Sequence, residues 1–158
     1  MKRIILILLL IFSACTPKNE EPCCANYSIP SIYLLYKDVA GNNLFDPKNE
    51  NAYKVDEIKV YYQINREEKL LEKATTLIEK NGVYYLGIGN FSQIASRWTA
   101  YEVEIMLSPN QEKRDKFKVT ISMLDGYTVI DKIWYNGEIV FERKNDTMQD
   151  FLEVSILK

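Results

Sequence analysis

The stretch KFKVTISMLDGYTVIDKIWYNGEIVFE, residues 116–142, decides the fold. Phe117, Val119, Ile121 and Met123 alternate with Lys118, Thr120 and Ser122. A period of two with one apolar and one polar side is the pattern of a half-buried strand. Asp125-Gly126 then joins Lys116–Leu124 to Tyr127–Asp131, and Asn136-Gly137 joins Ile130–Tyr135 to Glu138–Glu142. Such dipeptides supply the positive φ angles that two-residue hairpins require, so the stretch reads as consecutive antiparallel strands.

The same grammar extends outward. Asn81-Gly82 separates Thr75–Lys80 from Val83–Gly89. Tyr101, Val103, Ile105 and Leu107 share one face against Glu102 and Glu104, and Ile58, Val60, Tyr62 and Ile64 alternate with Lys59, Tyr61 and Gln63. Leu152, Val154 and Ile156 alternate with Glu153 and Ser155. Residues 66–73 (REEKLLEK) read as a charged loop or one helical turn, and 90–99 (NFSQIASRWT), which lacks alternation, reads as a crossing between sheets. About eight short strands with one-sided patterning predict an all-β, antiparallel β-sandwich, immunoglobulin-like or related, with a small β-barrel as its rival.

With 158 residues the chain is sized for one domain, and 47% apolar residues are enough for a core. It contains no histidine, which removes the commonest general acid/base and excludes Ser-His-Asp and Cys-His mechanisms. No enzyme activity and no cofactor are therefore expected. The net charge of −2 argues against nucleic acid, where neutralising phosphate supplies most of the affinity.

The N-terminus, MKRIILILLLIFSAC, has a basic start at Lys2 and Arg3, an apolar run from Ile4 to Phe12, and small Ser13 and Ala14 before Cys15. The run is shorter than the roughly 20 residues that span a bilayer. Phe12-Ser13-Ala14-Cys15 resembles a lipobox, with Phe12 where leucine is usual. The resemblance implies cleavage before Cys15 and acylation of that cysteine, and two or more acyl chains give stable anchoring. The chain then divides into a signal peptide (1–14), a lipidated tether (15–28) and a β-sandwich domain (29–158). Lys18-Asn19-Glu20-Glu21 resembles the short export signal of Bacteroidota lipoproteins, which implies the cell outer membrane, with surface exposure. Asp38–Pro47 and Ile133–Gly137 are similar to stretches of small lipoproteins of that group, and Asp146-Thr147-Met148 resembles their O-glycosylation site. Cys23 and Cys24 leave three readings open: a strained vicinal disulfide, an intermolecular bridge, or two free thiols.

Two candidate sites lie in the body. Neighbouring strand residues point to opposite faces, so in Tyr61-Tyr62 and Tyr84-Tyr85 one ring of each pair leaves the core. Pattern places Tyr62 and Tyr84 inward, and Tyr61 and Tyr85 outward. Together with Trp98, the outward rings are the expected ligand-facing aromatics, for a glycan or an envelope protein. The plainer reading is cross-strand packing on the solvated face. Asp38, Asn42, Asn43 and Asp46 offer four oxygens to calcium, but the spacing is not that of an EF-hand. A turn whose Asx side chains bond their own backbone, with left-handed Gly41, accounts for them without a metal. The expectation is a non-catalytic, membrane-anchored binding or accessory module. A purely structural module is the alternative, and a carboxylate-based glycan hydrolase needs two facing carboxylates.

Overall fold

A computed structural model of the chain describes residues 29–91, 94, 100–144 and 151–158. The expectations placed on Cys15, Cys23, Cys24, Trp98 and Asp146-Thr147-Met148 lie outside the described residues.

Ten strands are described: β1 (Ile32–Lys37), β2 (Lys59–Ile64), β3 (Glu67–Leu70), β4 (Thr75–Lys80), β5 (Val83–Ile88), β6 (Ala100–Met106), β7 (Asp115–Leu124), β8 (Tyr127–Tyr135), β9 (Glu138–Glu142) and β10 (Leu152–Leu157). A 3-10 turn, Val55–Glu57, precedes β2. The strands form a four-stranded sheet in the order β10-β1-β5-β4 and a six-stranded sheet in the order β3-β2-β6-β7-β8-β9. The two sheets do not close on each other, so the β-sandwich is the fold and the barrel is set aside.

The inward residues follow the alternation read from the sequence. Val103, Ile105, Phe117, Val119 and Ile133 of the six-stranded sheet meet Leu34, Tyr36, Leu86, Ile88 and Val154 of the other, all of them buried. Each such side chain contributes about 1.5–3 kcal/mol through removal of apolar area from water. The connection after β5 does pass from one sheet to the other, as expected.

Three details depart from the sequence reading. Residues 67–70 form strand β3, antiparallel to β2 with Ile64 opposite Glu67. The hairpin turn is Asn65-Arg66, with φ of 52° and 68°. Both residues take the left-handed conformation without a glycine, so the usual turn signature is missing. β1 and β10 pair in parallel, Ile32 opposite Leu152, in a fold otherwise built from antiparallel neighbours. Met123, read as inward, is 51% exposed: the bulge between Thr120 and Ile121 lies between it and the buried run Phe117–Val119.

The apparent overlap of two strand patterns at 127–135 has a structural cause. Thr120 pairs with Lys132 while Ile121 pairs with Ile130, which leaves Asp131 as the extra residue of a bulge. The bulge resets the phase of alternation, so that Ile130 and Ile133 both reach the core.

Candidate functional site

Tyr61 and Tyr85 leave the core on different sheets. Tyr61 is on the outer face of the six-stranded sheet, opposite Glu104 on β6. Tyr85 is on the outer face of the four-stranded sheet, opposite Ile78 on β4. The sandwich core lies between them, so they do not form one aromatic cluster.

Each ring is also covered. The Arg114 guanidinium lies 3.9 Å from the centre of the Tyr61 ring. It is held there by Glu68, at 2.5 Å, and Glu104, at 3.3 Å. Hydrogen bonding by the Glu68 carboxylate pushes the Arg114 pKa further up. Tyr85 is buried although it faces outward. Phe151 meets it edge-on at 5.1 Å and stacks flat on Tyr33 at 4.0 Å. Lys80 Nζ sits 3.7 Å above the Phe151 ring, and the Tyr85 hydroxyl donates to Glu153 at 3.0 Å.

The outer face of the six-stranded sheet stays open away from Arg114. Cross-strand register pairs Glu102 on β6 with Lys118 on β7, and Lys118 with Trp134 on β8; Gln63, one residue past the Tyr62–Val103 pair and in phase with outward Tyr61, extends this row onto β2. A depression of about 900 Å³ is bordered by Gln63, Glu102, Lys118 and Trp134, and also by core-facing Tyr62 and Tyr101 and by Ile94 of the β5–β6 connection, so it reaches past the outer face. The Glu102 and Lys118 side chains are 75% and 51% exposed, and they approach each other only to 3.9 Å. Lys118 Nζ is 5.7 Å from the centre of the Trp134 ring, and Trp134 is half-buried. From the sequence Trp134 could stack on a ligand, with core or hairpin packing as the plainer reading. Its place beside three polar side chains follows from the pairing of four strands.

Between the sheets lies a polar cluster that the pattern also missed. The Asp115 carboxylate is 2% exposed. It accepts hydrogen bonds from the Tyr36 hydroxyl at 2.8 Å, the Tyr135 hydroxyl at 3.2 Å and the Lys158 ammonium at 2.5 Å. Burial, with the Asp115 charge second, pushes the Tyr36 hydroxyl well above the usual tyrosine range, and the same two causes raise Tyr135. The phenols therefore stay protonated and act as donors. Asp115 stands in phase with Phe117 and Val119, so an acid at an inward position was the available signal.

The turn at 38–46 uses its side chains on its own backbone. Asp38 Oδ1 accepts from the amides of Ala40 and Asn42 at 2.9 and 2.8 Å, and Oδ2 accepts from the Asn42 side-chain amide at 2.8 Å. The Asn42 side-chain bond is the main cause holding the Asp38 carboxyl below its usual pKa. Asn43 Oδ1 accepts from Phe45 N at 2.8 Å, and Asp46 Oδ1 accepts from Lys48 N at 2.9 Å. Gly41 has φ of +86°, and Leu44 and Phe45 bury themselves as the anchor of the loop. Of the four side chains named from the sequence, Asp38, Asn43 and Asp46 thus accept turn hydrogen bonds through their oxygens, and Asn42 takes part as a donor. No group of three or more histidine, cysteine or acidic residues suited to a metal occurs among the described residues.

No family model matches the chain, and no curated protein or solved structure shows a significant similarity to it.

Proposed function

We propose that this chain is a lipid-anchored protein of the cell envelope. Acylated Cys15 holds a non-catalytic β-sandwich at the outer membrane, where it serves as a binding or accessory module. The observation that carries this reading is the Phe12-Ser13-Ala14-Cys15 segment after a short apolar run, followed by a proline-containing, charged stretch before Ile29. A lipid at Cys15 and a tether of about a dozen residues suit a domain that works beside a membrane.

The arrangement of the described acids supports a non-catalytic role. Glu104 faces Arg114 at 3.3 Å and Lys116 at 3.2 Å, and Asp131 bonds Arg143 at 2.6 Å. Asp115 is committed to two phenols and a lysine. A glycan hydrolase needs two carboxylates facing each other across a cleft. These acids face cations or phenols instead.

Expression in a bacterial host, with wild type compared to Cys15→Ala by intact mass and membrane fractionation, tests the anchor. The expected result is a mature chain beginning at Cys15 with added acyl mass in the membrane fraction, lost in the variant. A soluble, unacylated wild-type chain would overturn the proposal.

A further inference from the structure

The open row on the six-stranded sheet carries a further reading. We infer that Gln63, Glu102, Lys118 and Trp134 form a binding site for a neutral oligosaccharide laid across the strands. This rests on the binding-module reading above and names its ligand class.

The charge balance comes first. Around the row, Glu68, Glu102 and Glu104 stand among Arg114, Lys116 and Lys118, and further along the face Lys132 pairs with Glu142 at 2.7 Å, so both signs are interspersed. An anionic or cationic ligand would gain from half of these groups and be repelled by the other half. A polyol uses both kinds, because each hydroxyl donates to a carboxylate and accepts from an ammonium. Glu102 and Lys118 suit this best, being the exposed and loosely paired members. The exposed Gln63 amide adds a donor and an acceptor beside them.

Trp134 supplies the apolar element. The electron-rich face of an indole attracts the weakly positive C–H face of a pyranose ring, as it attracts other partial positive charge. Its position at the end of a polar row orients the ligand. Gln63 and Trp134 lie three strand steps apart, about 14 Å at the usual strand spacing. That length suits several linked sugars, and the depression bordered by these side chains gives them room.

A protein partner fits this face less well. A stable protein interface needs about 800 Å² per partner around an apolar centre. The exposed apolar residues of the face, Leu70 opposite Tyr61 and Ile139 opposite Trp134, form two small patches on opposite edges with charged side chains between them, not one apolar centre.

The test is calorimetric titration of the protein, purified from the membrane fraction in detergent, with cellohexaose, chitohexaose and maltohexaose. The expected result is saturable binding of at least one of them. Trp134→Ala should weaken it by about tenfold or more, Trp134→Phe by less, and Glu102→Ala with Lys118→Ala together by about tenfold. Tyr85→Phe, on the opposite face, should leave it unchanged. Thermal melts of each variant distinguish lost contact from lost fold, and the double variant tests the site if Trp134→Ala unfolds. Binding that survives both Trp134→Ala and the double variant would overturn the site while leaving the binding-module reading intact. No binding of any of the three sugars would overturn the ligand class. If envelope proteins then crosslink to this face, the module has a protein partner. Failure of the anchor is read separately, from acyl mass at Cys15.

Discussion

The two outer faces of the sandwich start from similar sequence and end in different states. Both carry an outward tyrosine on a central or near-central strand, Tyr61 on β2 and Tyr85 on β5. On the four-stranded sheet Phe151 lies over Tyr33 and Tyr85, and the face becomes a small second core. On the six-stranded sheet one corner is closed by Arg114 over Tyr61, while the row ending at Trp134 stays polar and open. An outward ring is thus a weak indicator of a binding surface. What lies over the ring decides, and here the covering residues come from distant parts of the chain.

Breaking the cluster that joins the faces should have the largest effect. Asp115→Ala removes the acceptor shared by Tyr36 on one sheet and Tyr135 on the other. A loss of about 3 kcal/mol is expected in chemical denaturation, from orphaned buried donors and an unpaired lysine. A loss under about 1 kcal/mol would mean the sheets are joined by apolar packing alone.

The covered face is next. Phe151→Ala should cost about 2 kcal/mol, because the ring is only partly buried. It should also raise the accessibility of Tyr85 to iodination. An unchanged melt would show that this face is not a second core.

Alkaline pH probes the phenols between the faces. Tyr36 and Tyr135 are raised in the folded chain, whereas unfolded tyrosine titrates near about 10. Below that pH the raised groups cost nothing. As pH climbs past it, the unfolded chain ionises first, so stability falls with rising pH. Denaturation midpoints that stay flat from about pH 9 to 11.5 would contradict the buried, protonated phenols.

The smallest effects should separate strain from function. The Tyr101 hydroxyl is buried without a hydrogen-bond partner among the described residues, so Tyr101→Phe should be neutral or stabilising by about 1 kcal/mol, where most such changes destabilise. A clear loss would reveal a hidden acceptor. Arg114→Ala should cost about 1 kcal/mol or less, as surface ion pairs do. It should leave Tyr61 open and make the closed corner resemble the open row. Unchanged quenching of tyrosine emission by added acrylamide would show that Arg114 is not the cover.

Much of the sandwich was legible because alternation is a local signal. The faces of Tyr101–Leu107 and Leu152–Ile156 and the hairpins at Asn81-Gly82, Asp125-Gly126 and Asn136-Gly137 all appear where the residues place them. The turn at Asp38 was legible for the same reason, its hydrogen bonds lying within a few residues. Strand β3 was not, because Asn65-Arg66 reaches positive φ without glycine and its strand residues are all exposed. An edge strand with no buried side has no alternation to read.

By itself the sequence determined strand identity, facing and most turns, since these depend on side-chain period and on φ preferences within a few residues. It also carries the Phe12–Cys15 segment on which the anchoring proposal stands. Tertiary structure decided which strands are neighbours, and so the parallel β1–β10 pair, the Asp115 cluster and the row from Gln63 to Trp134. Tyr36 and Asp115 are 79 residues apart, and Gln63 and Trp134 lie on strands that meet only through β6 and β7. The physical reason is that strand pairing is set by the burial of whole faces across the sandwich.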